Sequence, residues 1–198
     1  MKQKVSALVL AAGASSRMGR PKALLPWGPV TVLEHLIGEI ADAGITEIVV
    51  VAGKHVTEIG ELIQGRATVC EHAQWAQGIG GSIRMGTAFL RRQNPPPEAI
   101  LILLADQPLV SSGYLRKMLT SFENGSYSPV ASAYPEGPGV PALVPAPYFD
   151  RLEGLPDHKG ARSLLKEANA RVLDPGVAGQ DMDTPEMYRD LLKQAGLD

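Results

Sequence analysis

The sequence predicts an α/β fold: one domain built on a Rossmann-like, mostly parallel sheet with helices on both faces. Three observations carry that expectation. Short apolar runs alternate with segments of helical spacing. The connections between them are short, as strand–helix–strand units require. The first apolar run, Val5–Leu10, opens into a glycine-bearing loop rather than a hairpin turn. At 198 residues the chain can bury one good core and is short for two, so residues 1–198 are read as a single domain.

Taken in order, Val5-Ser-Ala-Leu-Val-Leu10 suits a central strand covered on both faces. Thr31 is placed to cap a helix carrying Leu33, Leu36, Ile37 and Ile40, closed by Ala43-Gly44. Ile48–Val51 reads as a second buried strand, Val56–Ile63 as a short helix and Ala67–Cys70 as a third strand. Gln74–Gly81 reads as a glycine-bearing loop, with Ser82 capping a helix whose apolar face includes Ile83, Phe89 and Leu90. Pro95-Pro-Pro97 precedes the strongest strand signal, Ala99–Leu104, which ends at Ala105-Asp106. A helix follows from about Ser112 to Phe122. The stretch from Pro129 to Pro147 is rich in proline and glycine, yet holds strand-like pieces at Val130–Tyr134 and Val140–Val144. A helix is expected near Ala161–Ala168, and Thr184 with Pro185 can open the last one.

Composition excludes several classes. A formal net charge of -2 and a pI of about 6.1 argue against nucleic acid as the main partner. Cys70 is the single cysteine, so neither an intrachain disulfide nor a cysteine zinc cluster can form. No apolar run approaches the roughly 20 residues that span a bilayer. The basic start Met1–Lys4 followed by apolar Val5–Ala12 looks like the opening of a signal peptide, but it is short and feeds a glycine loop. A cytoplasmic enzyme is the expectation, with no membrane partner.

The chemistry concentrates in two places. Glycines after a strand let backbone N–H groups turn toward an anion. The dinucleotide fingerprint fails here, because Ser15 and Met18 stand where it needs glycine after Gly13. The common ATPase phosphate loop fails too, since Gly19 is followed by Arg20-Pro21. What the loop does hold is Arg17, Arg20 and Lys22, and a triphosphate of about four negative charges needs more than one helix dipole. Ligands of parallel sheets bind beyond the carboxyl ends of the strands, where this loop and Asp106 both fall. Asp106 can equally cap a turn, and Asp183 can equally belong to the start of the last helix. Gln77-Gly-Ile-Gly-Gly-Ser82 is a second glycine loop. It either aims the Gly80 amide and the Ser82 hydroxyl at a base or ribose, or is a simple connection. Cys70 and His72 read as structural, and Trp27 and Trp75 as anchors of ligand-facing loops.

Leu10-Ala-Ala-Gly-Ala-Ser-Ser-Arg-Met-Gly-Arg-Pro-Lys-Ala-Leu-Leu25 resembles the opening signature of the nucleotidyltransferases that include the molybdenum cofactor cytidylyltransferases. Leu104–Val110 resembles that family's metal-binding segment. Gly139–Pro145, His158–Arg162 and Asp181–Glu186 resemble three later signatures in the same order. The resemblance spans nearly the whole chain and implies a fold of the nucleotide-diphospho-sugar transferase type. It implies transfer of a nucleoside monophosphate from CTP or GTP to a phosphate of molybdopterin, with pyrophosphate released. Residues 1–110 would then form the nucleotide-binding half and 111–198 the acceptor-binding half. Leu10, Ala11, Ala12, Gly13, Arg17 and Lys22 would hold the nucleotide, and Gly80 and Ser82 would meet its base or ribose. Arg17, Lys22 and Asp106 would act in catalysis, with Mg²⁺ on Asp106 and Asp183.

Lys159 and Arg162 are the candidates for acceptor phosphate, although His158 stands where the family pattern has an acidic residue. Guanylyl relatives tend to have glycine at the position of Ala12, whose methyl narrows the space beside the base and favours CTP. The implied recipient is a molybdoenzyme of the xanthine dehydrogenase type. Two alternatives stand beside this reading. One is the same chemistry with GTP or on a sugar or alditol phosphate; the other is a non-catalytic nucleotide-binding accessory protein for molybdoenzyme maturation.

Overall fold

The computed structural model describes residues 4–13, 20–125 and 127–197. Its centre is β1 (Val5–Leu10), where Ala7, Leu8 and Val9 are wholly shielded from solvent. A strand this apolar on consecutive residues must be covered on both faces. A small antiparallel ribbon, β2 (Pro26–Trp27) with β3 (Val30–Thr31), leads into α1 (Val32–Asp42). The Thr31 side chain accepts from the Glu34 amide and Glu34 reaches back to the Thr31 amide, so both orphan donors are satisfied.

The chain continues through β4 (Ile48–Ala52), α2 (Val56–Leu62) and β5 (Thr68–Glu71). Next come α3 (Ile79–Arg91), β6 (Ala99–Leu104) and α4 (Ser112–Asn124). The second half adds β7 (Val130–Tyr134), β8 (Gly137–Pro145), α5 (Phe149–Glu153), α6 (Arg162–Glu167), β9 (Arg171–Leu173) and α7 (Pro185–Gln194).

Seven strands form the main sheet among the described residues, in the order β5-β4-β1-β6-β8-β7-β9. β1 pairs in parallel with β4 and with β6, the latter in a register that sets Leu10 beside Leu104. β4 and β5 are parallel, as are β7 and β9, while β8 runs antiparallel to both β6 and β7. The proline-rich stretch is therefore part of the sheet. It is accommodated because Pro138 and Pro141, which have no N–H to give, lie on the part of β8 that has run past its pairing with β6.

Alternate residues of each strand feed two separate cores. Ala7, Val9, Leu101 and Leu103 pack with Leu33 and Ile40 of α1, Ile59 of α2 and Phe122 of α4. Leu8, Leu10, Ile100 and Ile102 pack with Ile83 and Leu90 of α3, Phe149 and Leu152 of α5, and Leu164 of α6. A third cluster joins Leu25, Trp27 and Val32 to Met182 and Leu191, holding α7 against the β2–β3 ribbon. No helix among the described residues is long and apolar enough to cross a membrane.

One local expectation changes. α3 begins at Ile79 with Gly78 as its cap, so Ser82 lies inside the first turn rather than before it. The reason is steric. A Cβ on Gly80 would stand 2.0 Å from the Pro156 carbonyl oxygen. The glycines here let a neighbouring backbone press against the first turn, and they do not loosen the chain.

Candidate active site

β1 and β6 end side by side, and the chain leaves them toward opposite edges of the sheet, so the loops that follow diverge and leave a crevice. The Ala105 amide donates to the Leu10 carbonyl at 3.1 Å and the Ala11 amide to Val51 at 2.9 Å, which anchors both loop starts. The resulting cleft has a volume of about 530 Å³, the size of a small-molecule site. Its lining has three parts: Leu10–Gly13 after β1, the Trp75–Ser82 segment entering α3, and a charged group made of Lys22, Asp106 and Asp183.

The charged group is drawn from three distant places in the chain. Lys22 begins a short 3-10 turn ahead of the ribbon, and its Nζ lies 2.8 Å from Asp106 Oδ2 and 2.6 Å from Asp183 Oδ1. Its side chain is 16% exposed, whereas that of Asp183 is 50% exposed. Partial burial alone would lower the lysine, but Asp106 and then Asp183 outweigh it and hold the ammonium above its ordinary value. Lys22 is therefore a fixed positive charge at the cleft.

Asp183 precedes α7, whose Thr184 cap accepts from Met187 N at 3.2 Å. The segment before it is fastened to the end of β6. Met182 N donates to the Asp106 carbonyl at 2.9 Å, and Gln107 Nε2 donates to Asp181 Oδ1 at 2.9 Å. Gln107 also reaches the Tyr134 hydroxyl, which in turn donates to the Val140 carbonyl. Burial, then the nearby Asp106, raises the Asp181 carboxyl above its ordinary value, with the Gln107 hydrogen bond opposing. Three carboxylates thus converge on the end of one strand.

Such a cluster has a measurable cost when no metal is bound. Asp181→Asn keeps an acceptor for Gln107 and removes one negative charge. In EDTA at neutral pH it should raise the melting temperature by about 2–4 °C, the scale of roughly 1 kcal/mol in a chain of this length. An unchanged or lower melting point would show that Asp181 carries no repulsive load.

Asp106 Oδ1 is buried and has no hydrogen-bond partner among the described residues. A buried carboxylate oxygen without a donor is costly unless a ligand satisfies it. Asp106 and Asp183 supply hard oxygen donors suited to Mg²⁺ or Mn²⁺. Among the described residues no three His, Cys, Asp or Glu side chains gather into a complete metal site. Substrate oxygens and water would fill the remaining positions, the usual arrangement for Mg²⁺.

Of the residues singled out in the sequence, Leu10, Ala11, Ala12, Gly13, Lys22, Ser82, Asp106 and Asp183 all line this cleft. Arg17 lies outside the described residues. Gly80 is not part of the lining: its amide donates to the Asp157 carbonyl at 2.8 Å, and its Cα faces the 156–159 loop. Lys159 and Arg162 are exposed and also stand apart from the lining. Trp27 is an anchor, 3% exposed in the third core, whereas Trp75 lines the cleft. Ile79, Gln107, Tyr134 and Asp181 went unnoticed as site components. Ile79, Gln107 and Asp181 each lay in a segment already noted for its neighbours, whereas Tyr134 had no such signal.

The sequence model of the MobA-like NTP transferase domain matches residues 7–172. Among curated proteins, nicotine blue oxidoreductase of Paenarthrobacter nicotinovorans is 30% identical over 199 residues, covering 93% of this chain and 95% of that protein. Bifunctional protein GlmU of Francisella tularensis subsp. novicida (strain U112) is 26% identical over 173 residues, 85% of this chain. The match spans only 37% of GlmU's own length. The crystal structure of Rv0371c from Mycobacterium tuberculosis H37Rv superposes with a TM-score of 0.78 at 28% identity, covering 96% of this chain and 98% of that one. A second structure of Rv0371c is a complex with manganese, at a TM-score of 0.76, 26% identity and the same coverage. The fold is of the nucleotide-diphospho-sugar transferase type.

Proposed function

The chain belongs to the MobA-like NTP transferase family, and from that premise we propose that it transfers CMP from CTP to a phosphate of molybdopterin and releases pyrophosphate. One observation supports this most: Lys22 meets Asp106 and Asp183 within 2.8 Å, in a cleft that the Leu10–Gly13 loop also lines.

In the reaction, an oxygen of the acceptor phosphate attacks the α-phosphorus of the nucleotide. The bond from that phosphorus to the bridging oxygen breaks, and pyrophosphate carries the electron pair away. Two anions must meet, so the protein's task is positioning and charge neutralisation. The acceptor is already ionised near neutrality and needs no strong general base, in keeping with a cleft that pairs a lysine with carboxylates. Lys22, joined by Arg17 from the same loop, neutralises the phosphates. Asp106 and Asp183 would hold a divalent ion, Mg²⁺ by choice, which would supply charge neutralisation to the phosphate oxygens when bound. Residues 1–110 serve the nucleotide and 111–198 the acceptor, with Lys159 and Arg162 as cationic contacts on the acceptor side. The setting is cytoplasmic, with delivery to a molybdoenzyme of the xanthine dehydrogenase type.

CTP is favoured over GTP because the buried Ala12 places a methyl in the lining. One methyl discriminates by about 1–3 kcal/mol. Ala12→Gly is therefore expected to raise the relative rate with GTP by about 10-fold. An unchanged CTP/GTP ratio would refute the steric argument.

The decisive assay supplies CTP or GTP, Mg²⁺ and molybdopterin and follows pyrophosphate. Release in that mixture supports the assignment. Release only with a sugar or alditol phosphate would move it to the other acceptor, and no release with any acceptor would leave an accessory role. One relative's name describes an oxidoreductase, so oxidation of NADH or NADPH is the matching control. The first loop lacks the glycines of a dinucleotide fingerprint, and no such oxidation is expected.

A further inference from the structure

The uncharged part of the cleft offers few polar side chains for telling one base from another. Among the described residues lining it, Leu10, Ala11, Ala12, Ala76 and Ile79 are apolar, and Trp75 can only donate. Ser82 carries the hydroxyl of the lining, and it is 4% exposed. Its Oγ lies 3.2 Å from Nδ1 of His72, itself 5% exposed.

His72 is held rigidly. Its amide donates to the Ala52 carbonyl at 2.8 Å, which continues the pairing of β5 with β4. Its ring lies against the first turn of α3 at Gly81, where a Cβ would stand 2.7 Å from Cε1 and 3.0 Å from Nε2. The same point over Gly81 is 3.5 Å from Asp157 Oδ1, so the ring and the Asp157 carboxylate both border this turn. Arg84 of α3 pairs with Asp157 and with the Leu155 carbonyl, fixing that carboxylate. A neutral imidazole has one N–H and one acceptor nitrogen, and with the proton on Nε2 it is Nδ1 that accepts from the Ser82 hydroxyl.

We propose that His72 sets the base preference of the cleft. It takes the Ser82 hydroxyl hydrogen on Nδ1, so that Ser82 presents only lone pairs and selects a nucleobase bearing an N–H there. The ligand class is a pyrimidine nucleotide with an exocyclic amine, cytosine, as against the carbonyl of uracil. The inference rests on the nucleotidyl-transfer reading of the cleft. His72 acts through Ser82 and is a positioning residue.

A pH dependence follows from the groups that face the ring, Arg84 from α3 and Asp157 from the 155–160 loop. Burial first, and then Arg84, hold His72 below its ordinary 6.5, with Asp157 partly opposing. The ring is thus neutral at pH 7, and it protonates only in acid, below that ordinary value. Nδ1–H then donates to Ser82, whose own hydrogen turns into the cleft.

The test is calorimetric binding of CTP, UTP and pyrophosphate, each with Mg²⁺, to the full chain. Wild type at pH 8 should prefer CTP over UTP by about 10-fold or more. Ser82→Ala and His72→Phe should each bring the ratio within about 3-fold, and the double variant should add nothing further. His72→Asn, which keeps a neutral acceptor, should retain the preference. Wild type should lose it in acid, as the pH falls through the His72 titration below its ordinary 6.5, while His72→Asn should not. At pH 8 pyrophosphate affinity should be the same in wild type and in every variant, which also reports that the variants are folded. An unchanged ratio in Ser82→Ala overturns the proposal, as do additive effects in the double variant or equal losses for pyrophosphate. Wild type binding both nucleotides alike overturns this inference alone, whereas wild type binding neither also removes the proposed function.

Discussion

Asp106→Asn is expected to lower kcat by about 10³-fold with little change in the melting temperature. The scale is that of removing one preorganised charge from a phosphoryl-transfer or oxyanion site. Asn keeps the shape of the side chain, and the Asp106 carbonyl still accepts from Met182, so the C-terminal segment stays fastened. What disappears is a negative charge next to a buried oxygen that has no donor among the described residues. Steady-state pyrophosphate release, with circular dichroism on the same samples, checks both halves. Near-normal turnover would remove Asp106 from any metal-holding role.

The second large effect has two signs in one variant. Lys22→Met should lower turnover by at least about 10²-fold, because the fixed cation proposed to neutralise the phosphates is gone. In the absence of nucleotide it should also bind Mn²⁺ about 10-fold more tightly. The ammonium lies between Asp106 and Asp183 at 2.8 and 2.6 Å, where a divalent ion would otherwise be drawn. An ion entering there must displace the lysine or share its carboxylates. Removing a unit like charge 4 Å from a divalent ion is worth roughly 8 kcal/mol at an effective dielectric of 20, so a tenfold gain leaves room for screening and rearrangement. Electron paramagnetic resonance of free Mn²⁺ measures this directly, with Asp183→Asn as the control that should weaken binding. Weaker Mn²⁺ binding in Lys22→Met would mean that the lysine supports the ion's site.

The mutual position of these groups explains why the metal-free protein tolerates three nearby aspartates. Lys22 neutralises two of them, and Gln107 engages the third through a hydrogen bond to Asp181. The residues that would bind substrate therefore also hold the C-terminal segment on the sheet. Substrate binding there would be linked to local order through the same contacts.

Much of this architecture was legible in one dimension. The buried strands announced themselves as continuous apolar runs, because a strand covered on both faces has no polar side to show. Thr31 and Thr184 were legible as caps, because a cap acts within three residues of itself. Lys22, Asp106 and Asp183 were singled out together, although only the resemblance joined them across the chain. The start of α3 was misplaced because glycine reads as loop unless the neighbour pressing on it is known. That neighbour, the 156–159 loop, is about 75 positions away. A like distance hid the bracing of Asp181 by Gln107, 74 positions apart, whereas His72 and Ser82 are only 10 apart and meet through the turn into α3.

By itself, then, the order of residues determined which segments are strands and helices, where the glycine-bearing loop after β1 lies and which charges are available. Those properties depend on periodicity and on neighbours a few positions apart. Only the folded chain decided which charges meet, which glycines are packing contacts and which hydroxyl lines the cleft. Those depend on register across the sheet and on how the last segment docks against β6, and no local pattern encodes either.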